Sequence, residues 1–366
     1  MKHCLSCLLL SLNCAVSLAQ PLRVVAVVSG LQDPWALAFL PDGRMLITEK
    51  GGALRIAGTD GRLSQPLAGL PEIAVAGQCG LLDVAIDPAF ASNQRLFFTF
   101  AEPAPAGEAG NSTAVGSARL VGDKLQDVRT IFSQKPKMKS QHHCGSRIVF
   151  DRSGHLLVGL GDRFSGMAQA QNPANHIGTV IRIAADGKAP ADNPFVTQAG
   201  AAPEVFSLGH RNIQGAALHP QTGELWASEH GPQGGDEINR VLPGRNYGWP
   251  LLTHGRNYGT GTAIGEEGAK PGFEQPLRHW VPTSVAPSGM AFLSSERYPG
   301  WKGSLFMGTL RGQQLIRLTL EGDRVVAEER LLQDFNKRIR DVRQGPDGWL
   351  YVLTDGSNAQ VLRLER

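Results

Sequence analysis

Residues 146–162 read SRIVFDRSGHLLVGLGD, two runs of alternating apolar residues joined by a D-x-x-G turn. A period of two places every second side chain on one face of a β-strand, and Asp and Gly are typical of tight turns. The stretch therefore predicts two antiparallel strands joined by a short turn, with polar residues directly before and after them.

The same pattern returns along the chain. Further copies, with D-x-x-G, P-D-G or related turns, occupy residues 35–56, 81–100, 215–231, 289–318 and 339–364. Six copies over residues 20–366 give roughly 58 residues each, the size of four short strands with their loops. We therefore expect one all-β domain over 20–366, a six-bladed β-propeller with four-stranded blades.

The first apolar run of this domain, residues 22–30, lacks a partner turn, and the last repeat ends just before the C-terminus. We expect this N-terminal strand to join the last blade and close the ring, so that no sheet edge is exposed. A β-sandwich with extra hairpins is the alternative. It would explain the strands but not their recurrence.

Residues 1–19 have the pattern of a secretory signal peptide, with a basic start at Lys2, an apolar run, and small residues at Ser17 and Ala19. We expect cleavage after Ala19 and export to the periplasm or the medium. The residues before Cys14 do not suit a lipid-attachment site, and no later segment reaches the roughly 18 apolar residues of a membrane span. No membrane anchor is expected.

The formal net charge of +3 is too small to argue for binding to nucleic acid or to an anionic membrane. Three of the five cysteines lie in the predicted signal peptide, so Cys79 and Cys144 remain in the mature chain. Two cysteines in an oxidising compartment can form one disulfide.

Polar residues that the apolar alternation does not explain stand just before or after the predicted strands, in different repeats. They are Gln78, His143 with Arg147, Asp162, Arg211 with Asn212 and Gln214, and Arg338 with Arg340. Because propeller repeats surround an axis, such strand ends converge at one mouth of the central channel. Four arginines there, counting Arg311, together with amides predict an anionic, polyfunctional ligand. Each arginine alone could instead be a surface salt-bridge partner.

Residues 230–237, HGPQGGDE, combine glycines, whose carbonyls are open, with Asp236 and Glu237. Carbonyl and carboxylate oxygens are ligands for calcium rather than zinc. A turn-rich loop without a metal is the alternative.

His142 and His143 are adjacent, so only one of them can face the axis if the segment is extended. Further ligands at zinc spacing are not near in the sequence. A single axial histidine, oriented by Asp162 one hairpin later, predicts a general base. A hydrogen-bonded structural histidine is the alternative.

Several motifs, in this order, resemble the pyrroloquinoline quinone (PQQ) dependent soluble aldose sugar dehydrogenases, a group related to the soluble quinoprotein glucose dehydrogenases. These motifs are GQCGLLDVAIDPAF, HHCGSRIVFD, GLGDR, SLGHRNIQGAALHP, SEHGPQGGDEIN, GRNYGWP and RIRDVRQGPDGWLYVLTD. The resemblance extends over essentially the whole mature chain. It implies a six-bladed propeller with PQQ and calcium at the axis.

The resemblance also implies residue roles. His143 would be the base and Asp162 would orient it, whereas His142 would not act. Gln78, Arg211 and Asn212 would contact PQQ, with Gln214 nearby, and Arg338 and Arg340 would hold its carboxylates. The carbonyls of Gly231 and Pro232 would bind the calcium that touches PQQ, and Glu237 with the Tyr247 carbonyl resembles a second, structural calcium site. Arg311 stands where the family usually has a lysine, which keeps the charge but changes its shape.

The implied reaction is oxidation of an aldose at its anomeric hydroxyl to the lactone, with hydride transfer to PQQ and an electron acceptor that is a quinone, a cytochrome or a dye-like molecule. Two alternatives belong to other classes. One is a calcium-dependent, lactonase-like propeller hydrolase, which would gather carboxylates and Asn around the metal. The other is a non-catalytic propeller that binds sugar or protein.

The two mature cysteines directly follow proposed active-site residues, Gln78 and His143. If those two residues meet at one cofactor, their neighbours are close enough for a Cys79–Cys144 disulfide. This requires Cα atoms within roughly 7 Å. Two buried free thiols are the alternative.

Overall fold

The computed structural model describes residues 22–366, which form six antiparallel sheets around a central axis. The predicted signal peptide lies outside these residues. Strand β1 (Arg23–Gln32) comes first in the chain and belongs to the last sheet.

The sheets follow one another in sequence as the blades of a propeller. Blade 1 contains β2 (Pro34–Phe39), β3 (Met45–Glu49) and β4 (Ala53–Ala57); blade 2 contains β5 (Leu81–Ile86), β6 (Arg95–Pro103), β7 (Asn111–Val121) and β8 (Lys124–Ser133); blade 3 contains β9 (Ile148–Phe150), β10 (Leu156–Gly159), β11 (Val180–Ile183) and β12 (Val205–Ser207). Blade 4 contains β13 (Ile213–Leu218), β14 (Leu225–Glu229), β15 (Asp236–Val241) and β16 (Arg278–Trp280); blade 5 contains β17 (Pro287–Phe292), β18 (Leu305–Thr309), β19 (Leu315–Glu321) and β20 (Arg324–Leu331); blade 6 contains β21 (Ile339–Gln344), β22 (Leu350–Thr354), β23 (Ser357–Glu365) and β1.

The first strand of each repeat is innermost, since β2, β5, β9, β13, β17 and β21 contact one another in a closed ring. At the outside of blade 6, β1 pairs with β23 from Arg23 opposite Glu365 to Gln32 opposite Ser357. The predicted six-bladed propeller and its closure by the N-terminal strand are confirmed. Blade 1 differs in having three strands, with a single bridge from Ala57 to Leu63 beyond β4.

Helix is scarce in this fold. A short helix α1 (Phe90–Asn93) lies between β5 and β6, and 3-10 helices occupy Met167–Gln171 and Gln333–Phe335. No helix within residues 22–366 is long and apolar enough to cross a membrane.

In the D-x-x-G turn after β9, the aspartate side chain accepts hydrogen bonds from backbone N–H groups that have no carbonyl partner in the turn. Asp151 Oδ1 accepts hydrogen bonds from the backbone N–H groups of Ser153 (2.8 Å) and His155 (2.9 Å). Gly154 follows with φ +81°, a conformation that costs glycine little. The turn thus joins β9 to β10 at the face opposite the strand ends that carry the polar residues.

Hydrophobic side chains fill the gaps between blades. The described residues form six buried apolar clusters, one between each pair of adjacent blades. Between blades 2 and 3, for example, Phe97 and Val115 pack against Ile148, Val158 and Ile181. Middle strands are therefore buried on both faces, as in β22, and each fully buried large side chain contributes roughly 1.5–3 kcal/mol.

A buried ion cluster joins the inner strands at the axis. The Arg147 guanidinium lies 3.1 Å from Asp83 and 3.2 Å from Asp341, and Arg343 pairs with the same two carboxylates at 3.3 and 2.9 Å. Arg147 is 1% exposed. These residues come from blades 2, 3 and 6, so two positive and two negative charges neutralise each other where the blades meet.

Arg147 extends the same connection to two more blades. Its guanidinium lies 4.1 Å from the ring centroid of Trp35 in blade 1, and its Nε donates to the Gln214 carbonyl in blade 4 at 2.7 Å. Hydroxyl groups add further bonds between neighbouring blades, such as Ser228 Oγ to the Ser288 carbonyl at 2.9 Å. The axis is therefore polar but internally hydrogen-bonded.

Cys79 and Cys144 form a disulfide, with Cα atoms 5.9 Å apart and a sequence separation of 65. The predicted pairing is confirmed. It ties the loop before β5 to the segment before β9, and both cysteines are buried.

Arg147→Met would leave Asp83 and Asp341 buried with Arg343 as their remaining partner. We expect this change to lower the free energy of unfolding by about 3–5 kcal/mol, because a buried charge is left uncompensated. Urea denaturation measures it. The control is Arg324→Met, whose ion pair with Glu321 is exposed and should contribute less than about 1 kcal/mol. Equal small losses in both variants would contradict a structural role for the cluster.

The disulfide should stabilise the protein by restricting its unfolded state. We expect no free thiol in the unreduced, denatured protein cleaved after Ala19, and a loss of about 2–4 kcal/mol in the free energy of unfolding of the Cys79→Ala/Cys144→Ala variant. Thiol titration and denaturation with and without dithiothreitol measure both. Two titratable thiols without reductant would contradict the bond.

Candidate active site

A cavity of about 250 Å³ opens at the axis, at the end where the segments before the inner strands meet. Every blade or the loop beside it contributes a lining residue: Lys50, Gln78, Gly145, Gln214, Leu310 and Arg340. Four residues predicted for the site, Gln78, Gln214, Arg338 and Arg340, line this cavity. The predicted convergence of strand ends therefore holds for these four.

His143 and Asp162 form a buried pair beside the cavity. His143 Nδ1 lies 2.6 Å from Asp162 Oδ1, and the backbone N–H of His143 donates to the side-chain carbonyl of Gln78 at 2.8 Å. Trp249 Nε1 donates to Asp162 Oδ2 at 2.7 Å, so both carboxylate oxygens have partners. With Nδ1 bound to the acid, Nε2 has no hydrogen-bond partner within residues 22–366 and can accept a proton.

The segment around His143 is not the extended strand considered from the sequence. His143 has φ +50°, in the left-handed region, and β9 begins at Ile148. The two adjacent histidines nevertheless diverge, because His142 is exposed whereas His143 is 6% exposed. A kinked backbone rather than strand alternation separates them.

Burial lowers the pKa of His143 below its ordinary value. The hydrogen bond with Asp162 opposes this effect, and the nearby charge of Arg211 adds to it. The imidazole is therefore neutral near pH 7, the state in which it can take up a proton.

Arg338 and Arg340 share a carboxylate that the sequence reading did not include. Asp355 accepts from Arg338 Nε at 2.7 Å and from Arg340 Nε at 3.2 Å. Burial favours the neutral acid, but the two guanidinium groups outweigh it and hold the pKa of Asp355 below its ordinary value. Asp355 fixes the orientation of both arginines, and Arg340 also donates to Gln214 Oε1 at 3.2 Å.

Four lining residues that the sequence reading missed or did not assign share one position in the repeat. Each directly follows the second strand of its blade: Lys50, His230, Leu310 and Asp355. Aligning the six repeats by their turns, rather than searching for charged motifs, would have found them. Among the charged lining residues, Lys50, Arg338 and Arg340 outnumber Asp33 and Asp355, which suits an anionic ligand.

Arg211 and Asn212 lie behind the cavity and hold its loops. Arg211 Nη1 donates to the carbonyls of His230 (2.9 Å) and Gly231 (2.6 Å), while its Nε is buried without a partner in the described chain. Asn212 Oδ1 accepts from the Gly145 N–H at 3.2 Å. Arg211 and Asn212 thus support the lining of the cavity from behind. Arg311 is exposed and does not line the cavity; its neighbour Leu310 does.

The first predicted calcium site is the segment at Gly231 and Pro232, where backbone carbonyl oxygens would be the ligands. Asp236 does not add a free carboxylate, because it accepts from Gly231 N–H (2.9 Å), Val285 N–H (2.7 Å) and other donors. The Gly231 carbonyl is held by Arg211. Carbonyl oxygens suit calcium, but the Gly231 oxygen would have to bind the cation and accept the hydrogen bond from Arg211 at the same time.

The second predicted calcium site has a stronger fit. Glu229 and Glu237 share the amide of Asn239, at 2.9 and 3.0 Å, and Asn239 Oδ1 is buried without a partner in the described chain. Burial raises the pKa of Glu237 to about 8, and the charge of Glu229 acts in the same direction. Two cavities of about 10 Å³, each bordered by Glu237 and Tyr247, lie beside these oxygens. Without a cation Glu237 is therefore mostly the neutral acid near pH 7, and a small cation bound here would favour its ionised form.

Within residues 22–366, no group of three or more His, Cys, Asp or Glu side chains is arranged to hold a metal. The adjacent histidines therefore form no zinc site with side chains of the described chain. The oxygen-rich loops described above remain the candidate metal ligands.

Comparison with known proteins gives a consistent result. The chain is 44% identical to aldose sugar dehydrogenase YliI of Escherichia coli over 99% of each sequence. Its fold matches the apo crystal structure of the soluble aldose sugar dehydrogenase from that organism with a TM-score of 0.89, at 43% identity over 94% of this chain and 99% of that one. It matches the PQQ-bound aldose sugar dehydrogenase from Streptomyces coelicolor with a TM-score of 0.77, at 28% identity over 94% and 98%.

A single family model spans nearly the whole described chain. The model for glucose/sorbosone dehydrogenase matches residues 31–363, which include every lining residue of the cavity and all strands except most of β1 and the end of β23. The family resemblance inferred from the sequence motifs is thereby confirmed, and the chain belongs to the glucose/sorbosone dehydrogenase family.

Proposed function

We propose that this protein oxidises aldose sugars at the anomeric hydroxyl to the lactone, with PQQ as hydride acceptor and calcium as a bound cation. The observation that carries the proposal is the His143–Asp162 pair, 2.6 Å apart and buried beside a cationic axial cavity. A base with an orienting acid is needed for proton abstraction but not for simple binding.

His143 would take the proton of the anomeric hydroxyl at Nε2. Asp162, with its second oxygen held by Trp249, would keep the imidazole in the correct tautomer and stabilise the positive charge that forms on it. The proton goes to His143 and the hydride leaves from the anomeric carbon, so the alcohol loses two electrons and becomes the lactone.

Arg338 and Arg340 would bind carboxylates of PQQ, and Gln78, Asn212 and Gln214 would present amides to its polar edge. When bound, PQQ supplies the quinone that accepts the hydride, and calcium supplies a Lewis acid. Arg211 would act from behind the lining, where it holds the His230 and Gly231 carbonyls and places a positive charge near the same end of the cavity. Arg311, being exposed, would contact the cofactor only after its turn moves.

The comparisons support this function, because one similar structure is described as PQQ-bound and one relative is named as an aldose sugar dehydrogenase. The disulfide supports the proposed location in the periplasm or outside the cell, since such bonds persist in oxidising compartments. The electron acceptor would then be a quinone, a cytochrome or a dye-like molecule of that compartment.

Reconstitution tests the proposal directly. Apo-protein mixed with PQQ and calcium should gain a quinone absorbance that is bleached when an aldose such as glucose is added, and a panel of aldoses with an acceptor dye should show turnover. Pretreatment with a calcium chelator should weaken PQQ binding. Absence of bleaching with every aldose, together with hydrolysis of lactones, would instead identify the hydrolase.

His143→Asn should lower kcat by about 10²–10⁴-fold, because it removes the proton acceptor. PQQ absorbance should still appear on titration. The matched control is His142→Asn, which changes the exposed neighbour and should leave kcat within about twofold of the original. Near-normal turnover in His143→Asn would contradict the assignment of the base.

The pH profile gives a second measure of the same base. Because a protonated imidazole cannot accept a proton, kcat/KM should rise with pH through the pKa of His143. Burial lowers this pKa, so the midpoint of the acidic limb should lie below about 6.5. A midpoint above this value would contradict a buried base.

A further inference from the structure

Phe164 has two properties that the fold does not explain. Its side chain is 55% exposed, although it is a large apolar group, and its φ is +65°, in the region that bulky residues avoid. Arg163, directly before it, has φ +59°. Two consecutive non-glycine residues in this conformation are strained, and strain of this kind is concentrated at functional sites.

The turn that carries Phe164 is anchored to the catalytic pair. The backbone N–H of Phe164 donates to Asp162 Oδ1 at 2.7 Å, the same oxygen that lies 2.6 Å from His143 Nδ1. Arg163 is fully buried, and its guanidinium donates to the Ser140 carbonyl at 2.9 Å and lies against the disulfide sulfurs. The backbone of Phe164 is therefore fixed relative to the base.

The ring of Phe164 borders the base itself. Its centroid lies 5.3 Å from that of the His143 imidazole, in an edge-to-face arrangement at 73°, and 5.8 Å from that of His142. Phe164 is 55% exposed, so much of the ring is open to solvent. The ring is therefore an exposed apolar surface next to the base, where a substrate that is hydrogen-bonded to His143 Nε2 can contact it.

We propose that Phe164 forms an apolar wall of the sugar subsite and thereby determines which aldoses bind productively. The inference rests on the proposed function. A pyranose ring presents C–H groups on its faces, and these pack against an aromatic face with little desolvation of the surrounding hydroxyls. A rigid aromatic wall beside the base would select sugars whose apolar face is continuous when the anomeric hydroxyl points to His143.

Phe164→Ala should raise KM for a preferred aldose about 10-fold and leave kcat at saturating sugar within about threefold, the KM change corresponding to about 1.4 kcal/mol of lost binding. Phe164→Tyr and Phe164→Trp retain an aromatic face and should keep KM within about threefold of the original. Titration of PQQ, followed by its absorbance, should be unchanged in all three variants. The ratio of kcat/KM values between two epimeric aldoses should shift in Phe164→Ala.

A structural role predicts a different result, which Phe164→Gly tests. Glycine removes the ring and also relieves the left-handed strain, so Tm should stay within about 3 °C of the original while KM for sugar rises as in Phe164→Ala. The surface control is Val326→Ala, on outer strand β20 and 43% exposed, which should change neither KM nor Tm.

The outcomes separate this inference from the proposed function. Failure of the unaltered protein to oxidise any aldose overturns the function itself. If the unaltered protein is active but Phe164→Ala keeps the same sugar KM, or raises KM for the electron acceptor instead, the sugar wall is overturned and the function stands. A large fall in Tm for Phe164→Gly would assign the ring to stability.

Discussion

The neutralisation of charge at the axis is the constraint on which the molecule depends. Six inner strands meet where water is largely excluded, and Asp83, Arg147, Asp341 and Arg343 satisfy one another there. Because Arg147 comes four residues after His143, the same short segment serves the axis with one side chain and the candidate site with another. A shift of the inner strands would break the ion cluster and displace His143 at the same time. The stability of the ring of inner strands and the geometry of the candidate site are therefore coupled.

The candidate site is largely formed before any ligand binds. The acid–base pair, the Asp355 carboxylate between two arginines, and the Gln78 contact to the backbone of His143 are all internal to the protein. Because these groups are ordered during folding, ligand binding does not have to include the entropic cost of ordering them, which is the general advantage of a preorganised site. An anionic cofactor would neutralise the cationic cavity, and a cation beside Glu229 and Glu237 would favour ionisation of Glu237.

The fold could be predicted from the sequence because each repeat contains its own turn residues and its own alternation of apolar residues. The His143–Asp162 pair and the cavity arginines could be predicted for a related reason: charged residues beside apolar runs have few structural explanations. Three features could not be predicted from the sequence. Asp355 stands before Gly356, as in an ordinary turn. The sequence pattern groups Arg147 with the candidate-site residues, although it neutralises two acids from other blades. The exposure of Arg311 depends on where the chain turns after β18. The role of each residue depends on contacts between segments that are distant in the sequence, and the local sequence pattern gives no information about such contacts.

The pairing of β1 with β23 joins the two ends of the described chain across more than three hundred residues. Because synthesis begins at the N-terminus, the first strand therefore stays unpaired until the final repeat has been made. A product that lacks the last repeat would leave β1 without its partner and uncover the apolar faces that blades 1 and 5 bury against blade 6, so it would be prone to aggregation and proteolysis. The pairing of the first strand thus makes closure of the ring depend on synthesis of the last repeat.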